Sequence, residues 1–289
     1  MSKPINRAAV GALSAMAAIL GIAGMGALAQ TTPEKPKTVR LYIFDLGKLT
    51  NNNPAQYRFR KEELAVQDLA VVGYLIVHPR GTLMWDTGVV PDSQVGTDAR
   101  GANRAGKRTL KDQLAEIGYA PKDINFLGLS HYHFDHTGNA NEFRDATWLV
   151  RKEERDAMFA ETQRPGVSVL NQYNLLKDSK TVILDQEEYD VFGDGTVIVK
   201  AAVGHTPGHQ VLVVKLAQFG PVVLSGDLYH YREERALRDR TPTFEFNSEQ
   251  TIASRDKIEA YTKKIGGQLW IEHDLTHTAS LKKSPEYYE

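Results

Sequence analysis

Residues 131–136 read His-Tyr-His-Phe-Asp-His, four metal-binding side chains within six positions. Packing alone rarely asks for three imidazoles and a carboxylate so close together. A helix would set two such ligands at i and i+4. The tighter spacing here needs a loop, which can turn all four side chains toward one or two cations. The preceding run, Ile124-Asn125-Phe126-Leu127-Gly128-Leu129-Ser130, is apolar enough to predict a buried strand. Thr137-Gly138-Asn139, just after the cluster, has turn and helix-start character. The cluster therefore lies where a strand gives way to a loop, the usual place for chemistry in α/β proteins.

The rest of the composition narrows what the cluster can be. The chain has 289 residues and no cysteine, so disulfides, thiolate ligands and a thiolate nucleophile are excluded. Any metal site must be built from His, Asp and Glu. The net charge of −1 and the lack of a basic stretch argue against a nucleic-acid partner and leave a small-molecule substrate as the expectation. Residues 1–29 read as a signal peptide. Lys3 and Arg7 precede an apolar run from Ala8 to Leu28, and Ala27-Leu28-Ala29 fits a cleavage site. A run of that length would also serve as a membrane anchor, but its Gly and Ala content and the cleavage site favour removal. The expected location is exported, periplasmic or secreted, with no stable membrane association after cleavage. Residues 30–38 form a polar, proline-containing linker, and 39–289 a single domain large enough for a proper core.

Along that domain, Val39–Phe44 predicts a first strand and 45–57 a loop. Residues 58–70 are ambiguous between helix and loop. Val71–Val77 and Thr82–Trp85 predict a hairpin closed by Asp86-Thr87-Gly88. The glycine-containing stretch 89–108 is a long loop of the sort that carries function. Thr109 starts a helix that Gly118 stops. A strand at 147–150 and a charged helix at 151–159 follow, then an unassigned stretch to 180. Further strands are expected at 181–184, 189–192, 196–202, 210–216 and 221–225. Ser248–Ile265 predicts an amphipathic helix with Ile252, Ile258, Tyr261 and Ile265 inward, and 268–271 a last strand. Two groups of strands, each followed by helices, predict two sheets packed face to face with helices outside.

Three more pieces put His or Asp at strand ends: Gly204-His205-Thr206-Pro207-Gly208-His209, Ser225-Gly226-Asp227 and Glu272-His273-Asp274. Imidazole and carboxylate suit Zn, Fe, Ni or Mn. Any one of these histidines alone would more often be a surface or core residue than a ligand. The cluster at 131–136 raises all of them together.

With these pieces in view, the sequence resembles the metallo-β-lactamase superfamily from about residue 40 to 275, and Asp86-Thr87-Gly88 matches another of its motifs. The nearest likeness within it is to the N-acyl homoserine lactonases. Asp45-Leu46-Gly47 after the first strand, Gly208-His209-Gln210 entering a later one, and Glu272-His273-Asp274 carry that likeness. The resemblance implies an α/β fold, an αββα sandwich of two mixed sheets with helices outside. It implies two divalent metal ions, zinc first, with iron, cobalt and manganese compatible. It puts His131, His133 and His209 on one ion and Asp135, His136 and His273 on the other, with Asp227 bridging. His205 and Asp86 are then supporting residues. The implied activity is opening of the lactone ring of N-acyl homoserine lactones by a metal-bridging hydroxide, which would silence bacterial signalling. Asp135 is a candidate proton shuttle. These lactonases carry a substrate-binding Tyr three residues after the bridging Asp; here His230 stands there and Tyr229 precedes it, so both are candidates for substrate contact. A homodimer is a further expectation. The competing readings are another hydrolase of the same fold, such as a β-lactamase, a thioesterase or a broad esterase, and a metal-bound protein without activity. Glu in place of His133 would mark the superfamily's oxygen-reducing di-iron members, so that role is disfavoured.

Overall fold

Strand β2, Leu69–His78, is buried from end to end, and its side chains divide by parity. Val71, Leu75 and Val77 enter one apolar core, while Val72, Tyr74 and Ile76 enter another. Period-two alternation forces that division on any strand covered on both faces. The structure, a computed structural model, describes residues 35–50, 52–96, 108–162 and 168–289. The expected signal peptide, the first part of the expected linker, and Gly101 and Gly106 lie outside the described residues. No helix among the described residues is long and apolar enough to cross a membrane.

Strand β1 is Arg40–Leu49, β3 Gly81–Trp85, β4 Phe126–Gly128, β5 Thr147–Val150 and β6 Thr181–Ile183. Strands β7 to β12 are Glu188–Asp190, Val197–Ala201, Gln210–Leu216, Gly220–Leu224, Gln268–Trp270 and Tyr287–Tyr288. The first sheet has seven strands in the order β12-β1-β2-β3-β4-β5-β6; the second has five, β11-β10-β9-β8-β7. Both are mixed. β3 to β6 run parallel to one another while β1 and β2 pair antiparallel, and β10 pairs parallel with β11 but antiparallel with β9. Between the sheets lies a core with Ile43, Trp85 and Leu149 from one side and Val199, Leu212, Val222 and Trp270 from the other. Each such side chain, fully buried, stabilises by about 1.5–3 kcal/mol relative to exposure.

The helices cover the outer faces. Helices α1 (Leu110–Glu116) and α2 (Lys152–Met158) bring Leu110, Leu114 and Met158 against the outer face of the first sheet. Helix α3 (Ser248–Lys264) sets Ile258 on the outer face of the second, against Val211, Val213 and Val223. This is the αββα sandwich expected.

Several elements differ from the expectation for identifiable reasons. The predicted loop at 45–57 begins as strand, because β1 continues to Leu49 through a bulge between Asp45 and Gly47. Gly47 takes a φ of 124°, which lets Leu46 and Leu49 still point inward. Residues 58–70 form no α-helix; Lys61–Glu63 is a single 3₁₀ turn and β2 starts at Leu69. The expected strand at 124–130 shortens to β4, since Ser130 already belongs to the metal-site loop. Thr109 caps α1 as expected, its side chain accepting from Asp112 N. The fully buried face of α3 is Thr251, Ser254, Arg255, Ile258 and Thr262, with Ile252, Tyr261 and Ile265 on its flanks. That face is mostly polar because, beside Ile258 on the sheet, Ser254 and Arg255 bond the carbonyls of Val203, Leu228, Arg238 and Arg240 in the neighbouring loops. Helix α4 (Leu275–Ser280), started by Asp274 accepting from His277 N, was not foreseen.

Candidate metal centre

The functional side chains all leave from strand ends. His131–His136 follow β4, His205 and His209 lie in the connection from β8 to β9, Asp227 follows β10 and His273 follows β11. These ends meet because β4 and the β8–β11 group belong to facing sheets. Backbone bonds tie the segments together. Thr87 N donates to His136 O at 2.7 Å, Gly138 N to Gly88 O at 2.6 Å, and Gln210 N to Ser130 O at 2.9 Å.

Three groups of donor atoms result among the described residues; Asp227 belongs to the first two, and Asp86, His136 and Glu272 make the third. In the first, His131 Nε2 is 3.4 Å and His205 Nε2 3.3 Å from Asp227 Oδ2, and His205 Nε2 is 3.0 Å from His133 Nδ1. In the second, His136 Nε2 is 3.0 Å and His273 Nε2 2.9 Å from Asp227 Oδ1, with His273 Nε2 3.5 Å from Asp135 Oδ2. Bonds of about 2.0–2.1 Å to a tetrahedral cation put neighbouring donors about 3.3 Å apart. Apart from His205 Nε2 and His133 Nδ1, which are hydrogen-bonded to each other, the observed separations are close to that edge length. Moreover, Nε2 of His131, His136 and His273 and Oδ1 of Asp227 are buried with no hydrogen-bond partner. They lie close without being aligned on one another, as donors aimed at a shared centre do. Two divalent cations fit this donor set, and its all-N,O chemistry suits zinc, iron, cobalt or manganese.

The other ring nitrogens are spoken for, which fixes each imidazole. His273 Nδ1 meets Ala70 O at 2.6 Å, and His205 Nδ1 meets Glu245 Oε1 at 2.9 Å. His136 Nδ1 faces Asp86 Oδ2 at 3.2 Å and Glu272 Oε1 at 3.5 Å. Asp86 also accepts from Ser130 N at 2.7 Å and holds a left-handed backbone, φ 54°. Burial pushes the Asp227 carboxyl up, but His273, His136 and His131 outweigh it and hold it well below the usual range, so the shared carboxylate stays ionised.

His205 stands in the first group of donor atoms, with His209 beside it. His209 belongs to none of the three groups. Its Nδ1 donates to Ala202 O at 3.0 Å, and its Nε2 accepts from Asp227 N at 3.0 Å. Burial, with His205 beside it, holds it neutral with a pKa of about 3. Both nitrogens of His209 are engaged, as are those of His205, whose Nδ1 meets Glu245 and whose Nε2 meets His133 Nδ1. Gly204, at φ 135°, lets the chain enter this motif close against α3, because a Cβ there would sit 2.2 Å from Thr251 N.

Tyr229, one of the two candidates for substrate contact, is buried away from the cluster. Its ring is sealed in the outer core under α3, with the Arg255 guanidinium 4.6 Å from its centroid. The strand-like backbone at 229 turns that ring outward and its neighbour inward. His230 is the one at the cluster, its Nε2 3.2 Å from Asp227 Oδ2. His131, His133, Asp135, His136, Asp227 and His273 all lie in the two groups of donor atoms that Asp227 joins.

Supporting residues that the sequence did not reveal carry the loops. Glu154 of α2 accepts from Tyr132 N at 2.8 Å, Thr206 Oγ1 at 2.7 Å and Gly208 N at 2.8 Å, joining both histidine loops. Arg255 of α3 donates to the carbonyls of Leu228, Arg238 and Arg240, and faces Glu234 Oε2 at 3.5 Å. Glu234 in turn accepts from His230 N at 2.6 Å.

Residues 66–265 match the sequence model of the metallo-beta-lactamase superfamily. The N-acyl homoserine lactonase AttM of Rhizobium radiobacter is 30% identical over 277 residues, covering 86% of this chain and 98% of that protein. The N-acyl homoserine lactonase AiiA of Bacillus thuringiensis subsp. kurstaki is 28% identical over 230 residues, 76% of this chain and 87% of its own length. Among solved structures, that of a quorum-quenching N-acyl homoserine lactone lactonase superposes with a TM-score of 0.72 at 25% identity, over 86% of this chain and 98% of that one.

Proposed function

Because this chain belongs to the metallo-β-lactamase superfamily, we propose that it is a metal-dependent hydrolase that opens the lactone ring of N-acyl homoserine lactones at a two-metal centre. The observation that carries the reading is the sharing of Asp227, one oxygen facing each group of donors. The lactonases among its relatives supply the substrate class.

Two divalent ions held by these residues would supply Lewis acidity and a hydroxide nucleophile near neutral pH. The chain does the rest. His131 and His133, with His209 or His205, would hold one ion, and Asp135, His136 and His273 the other, with Asp227 common to both. Asp135, at the edge of the second group, is placed to pass a proton to the ring oxygen as its bond to the acyl carbon breaks. His230, the residue facing the cluster after Asp227, takes the substrate contact that Tyr229 cannot reach. Beside His273 a shallow cleft lined by Val66, Tyr231, Arg232, Asp274 and Leu275 opens toward solvent. Water exclusion by the aromatic residues around His230 favours the charged transition state.

The test is a substrate panel on purified protein loaded with zinc or cobalt, with acyl homoserine lactones, β-lactams and thioesters side by side. Lactone opening at the highest kcat/KM is expected. Intact lactones alongside cleaved β-lactams or thioesters would sink the proposal in favour of another hydrolase of this fold.

A further inference from the structure

Tyr57 ends a 3₁₀ turn, Pro54–Tyr57, that the chain fixes at both ends. The Asn53 side chain accepts from Ala55 N, and Arg58 closes the turn in a left-handed conformation at φ 59°. The turn is then stapled to a distant loop, with Arg58 Nε donating to Thr241 O at 2.8 Å and Thr243 N to Gln56 O at 2.7 Å. These bonds deliver the Tyr57 ring against His230, 4.9 Å between centroids, and against Tyr231 and Phe244 at 5.1 and 5.5 Å. His230 itself reaches Asp227. One ring thus separates Tyr57 from the shared carboxylate.

A buried phenol ordinarily finds a hydrogen-bond partner. Tyr231 follows the rule, its hydroxyl donating to Gln67 O at 2.9 Å. So does Tyr173, paired with Ser168 at 2.6 Å. Tyr57 is only 6% exposed, and its hydroxyl has no partner among the described residues; unlike the sealed Tyr229 hydroxyl, it is not closed off from solvent and so is open to an incoming ligand. Burial pushes that hydroxyl well above its usual range, and the carboxylates of Asp135 and Asp227 add to the effect, so it remains a protonated donor and lies within electrostatic reach of the cluster. A rigid, protonated, unpaired donor beside a hydrolytic centre has one obvious use.

We propose that Tyr57 is a substrate-contacting residue whose hydroxyl donates a hydrogen bond to the acyl oxygen of the group being hydrolysed, reinforcing it as negative charge builds there. The proposal rests on the hydrolytic reading of the site but not on the lactone ring, because lactones, β-lactams and thioesters all present such an oxygen. A donor of this kind, aimed at developing charge, changes kcat more than KM.

The experiment compares Tyr57→Phe with the unmodified protein on whichever member of the lactone, β-lactam and thioester panel the latter cleaves. The substitution removes one oxygen and keeps the ring packed on His230. A fall in kcat of about 10- to 100-fold is expected, with KM, metal stoichiometry and melting temperature nearly unchanged. A kcat within twofold of the unmodified protein overturns the Tyr57 assignment, as does a loss that tracks lowered metal content or stability, which would mark a packing role. Failure of the unmodified protein on lactones alone counts against the lactone assignment and leaves the Tyr57 comparison to be decided on the substrate it does cleave. Failure on all three classes overturns both.

Discussion

Nδ1 of His205 lies 2.9 Å from Oε1 of Glu245, and both side chains are buried. That contact turns Nε2 of His205 toward Asp227. Burial pushes the Glu245 carboxyl up, but His205 and the bond it makes hold it below the usual range, so the acceptor is ionised. Replacing Glu245 with Ala removes the acceptor and leaves the ring free to turn. Metal affinity at the first group is expected to fall about 10- to 100-fold, read by competition with a chromogenic chelator. Glu245→Gln keeps an acceptor oxygen and should lose less. Equal losses in the two variants would mean that charge, and not orientation, is what Glu245 provides.

His205 and His209 are four positions apart in one motif, yet they separate cleanly by test. His205→Ala removes a donor from the first group and is expected to lower bound metal toward one equivalent and activity by a factor on the order of 10³. His209→Ala leaves the donors in place but strands Asp227 N and Ala202 O without their partner, at a cost of about 1–3 kcal/mol. That variant should melt earlier and still bind two ions. Metal analysis showing the reverse pattern would put His209, and not His205, on the ion.

The metal cluster was legible because its residues are adjacent and of a type that packing does not select. The strand order was legible from period-two alternation, as in β2. The relation between His205 and His209 was not, since both are imidazoles in Gly-His-Thr-Pro-Gly-His and both reach Asp227, one Nε2 lying 3.3 Å from its Oδ2 and the other 3.0 Å from its backbone N. Arg255 and Glu154 were hidden for another reason. Hydropathy reads a charged residue on a helix as solvent-facing, but these two enter the interior to satisfy loop backbone groups. Their partners are far away in sequence, Leu228 and Arg240 for one, Tyr132 and Gly208 for the other. No local pattern encodes such pairings. The same holds for Tyr57, whose neighbours His230 and Phe244 come from the other end of the chain.

Glu154 links stability to pH. Burial raises its carboxyl to about 7, against the three hydrogen bonds that favour the ionised form. The folded value lies above the ordinary 4.5, so between those values the native state binds more protons than the unfolded one. The group's contribution is therefore complete below about 4.5 and is lost as pH rises through about 7. A shift of this size is worth roughly 3 kcal/mol. Urea denaturation of the unmodified protein from pH 4.5 to 8 should include a declining component that Glu154→Gln lacks. Gln also turns an amide toward one of the three donors, so it should be destabilised by about 1–3 kcal/mol at pH 5. An unchanged slope in Glu154→Gln would assign the titration to another group.

Metal removal should cost stability as well as activity. Donors that converge only in the folded chain bind ions only there, and ions at 1,000 times their Kd stabilise by about 4 kcal/mol. For a domain of this size that corresponds to a melting point lower by roughly 10 °C after chelation. Differential scanning fluorimetry with and without a chelator reads it, and adding back zinc or cobalt should restore both the melting point and turnover. A melting point indifferent to the chelator would mean that the two groups do not retain ions in solution.

The position of Asp227 depends on the residue before it. Gly226 has a φ of 48°, and a Cβ there would lie 2.7 Å from Ser130 Cβ and 2.8 Å from His209 Nε2. Neither neighbour can yield. Ser130 is buried and its amide is held by Asp86, while His209 is pinned between Ala202 and Asp227. An alanine would have to push the chain carrying Asp227 away from the donors facing it. Gly226→Ala is therefore expected to cost roughly 3 kcal/mol and to reduce bound metal and activity together. Gly220, with a φ of 94° and nothing within 4 Å of its Cβ direction, carries the backbone strain without the collision. Gly220→Ala should lose stability by about 1 kcal/mol and keep both ions and full turnover. Matching metal contents in the two variants would show that the close approach at Gly226 does not set the place of Asp227.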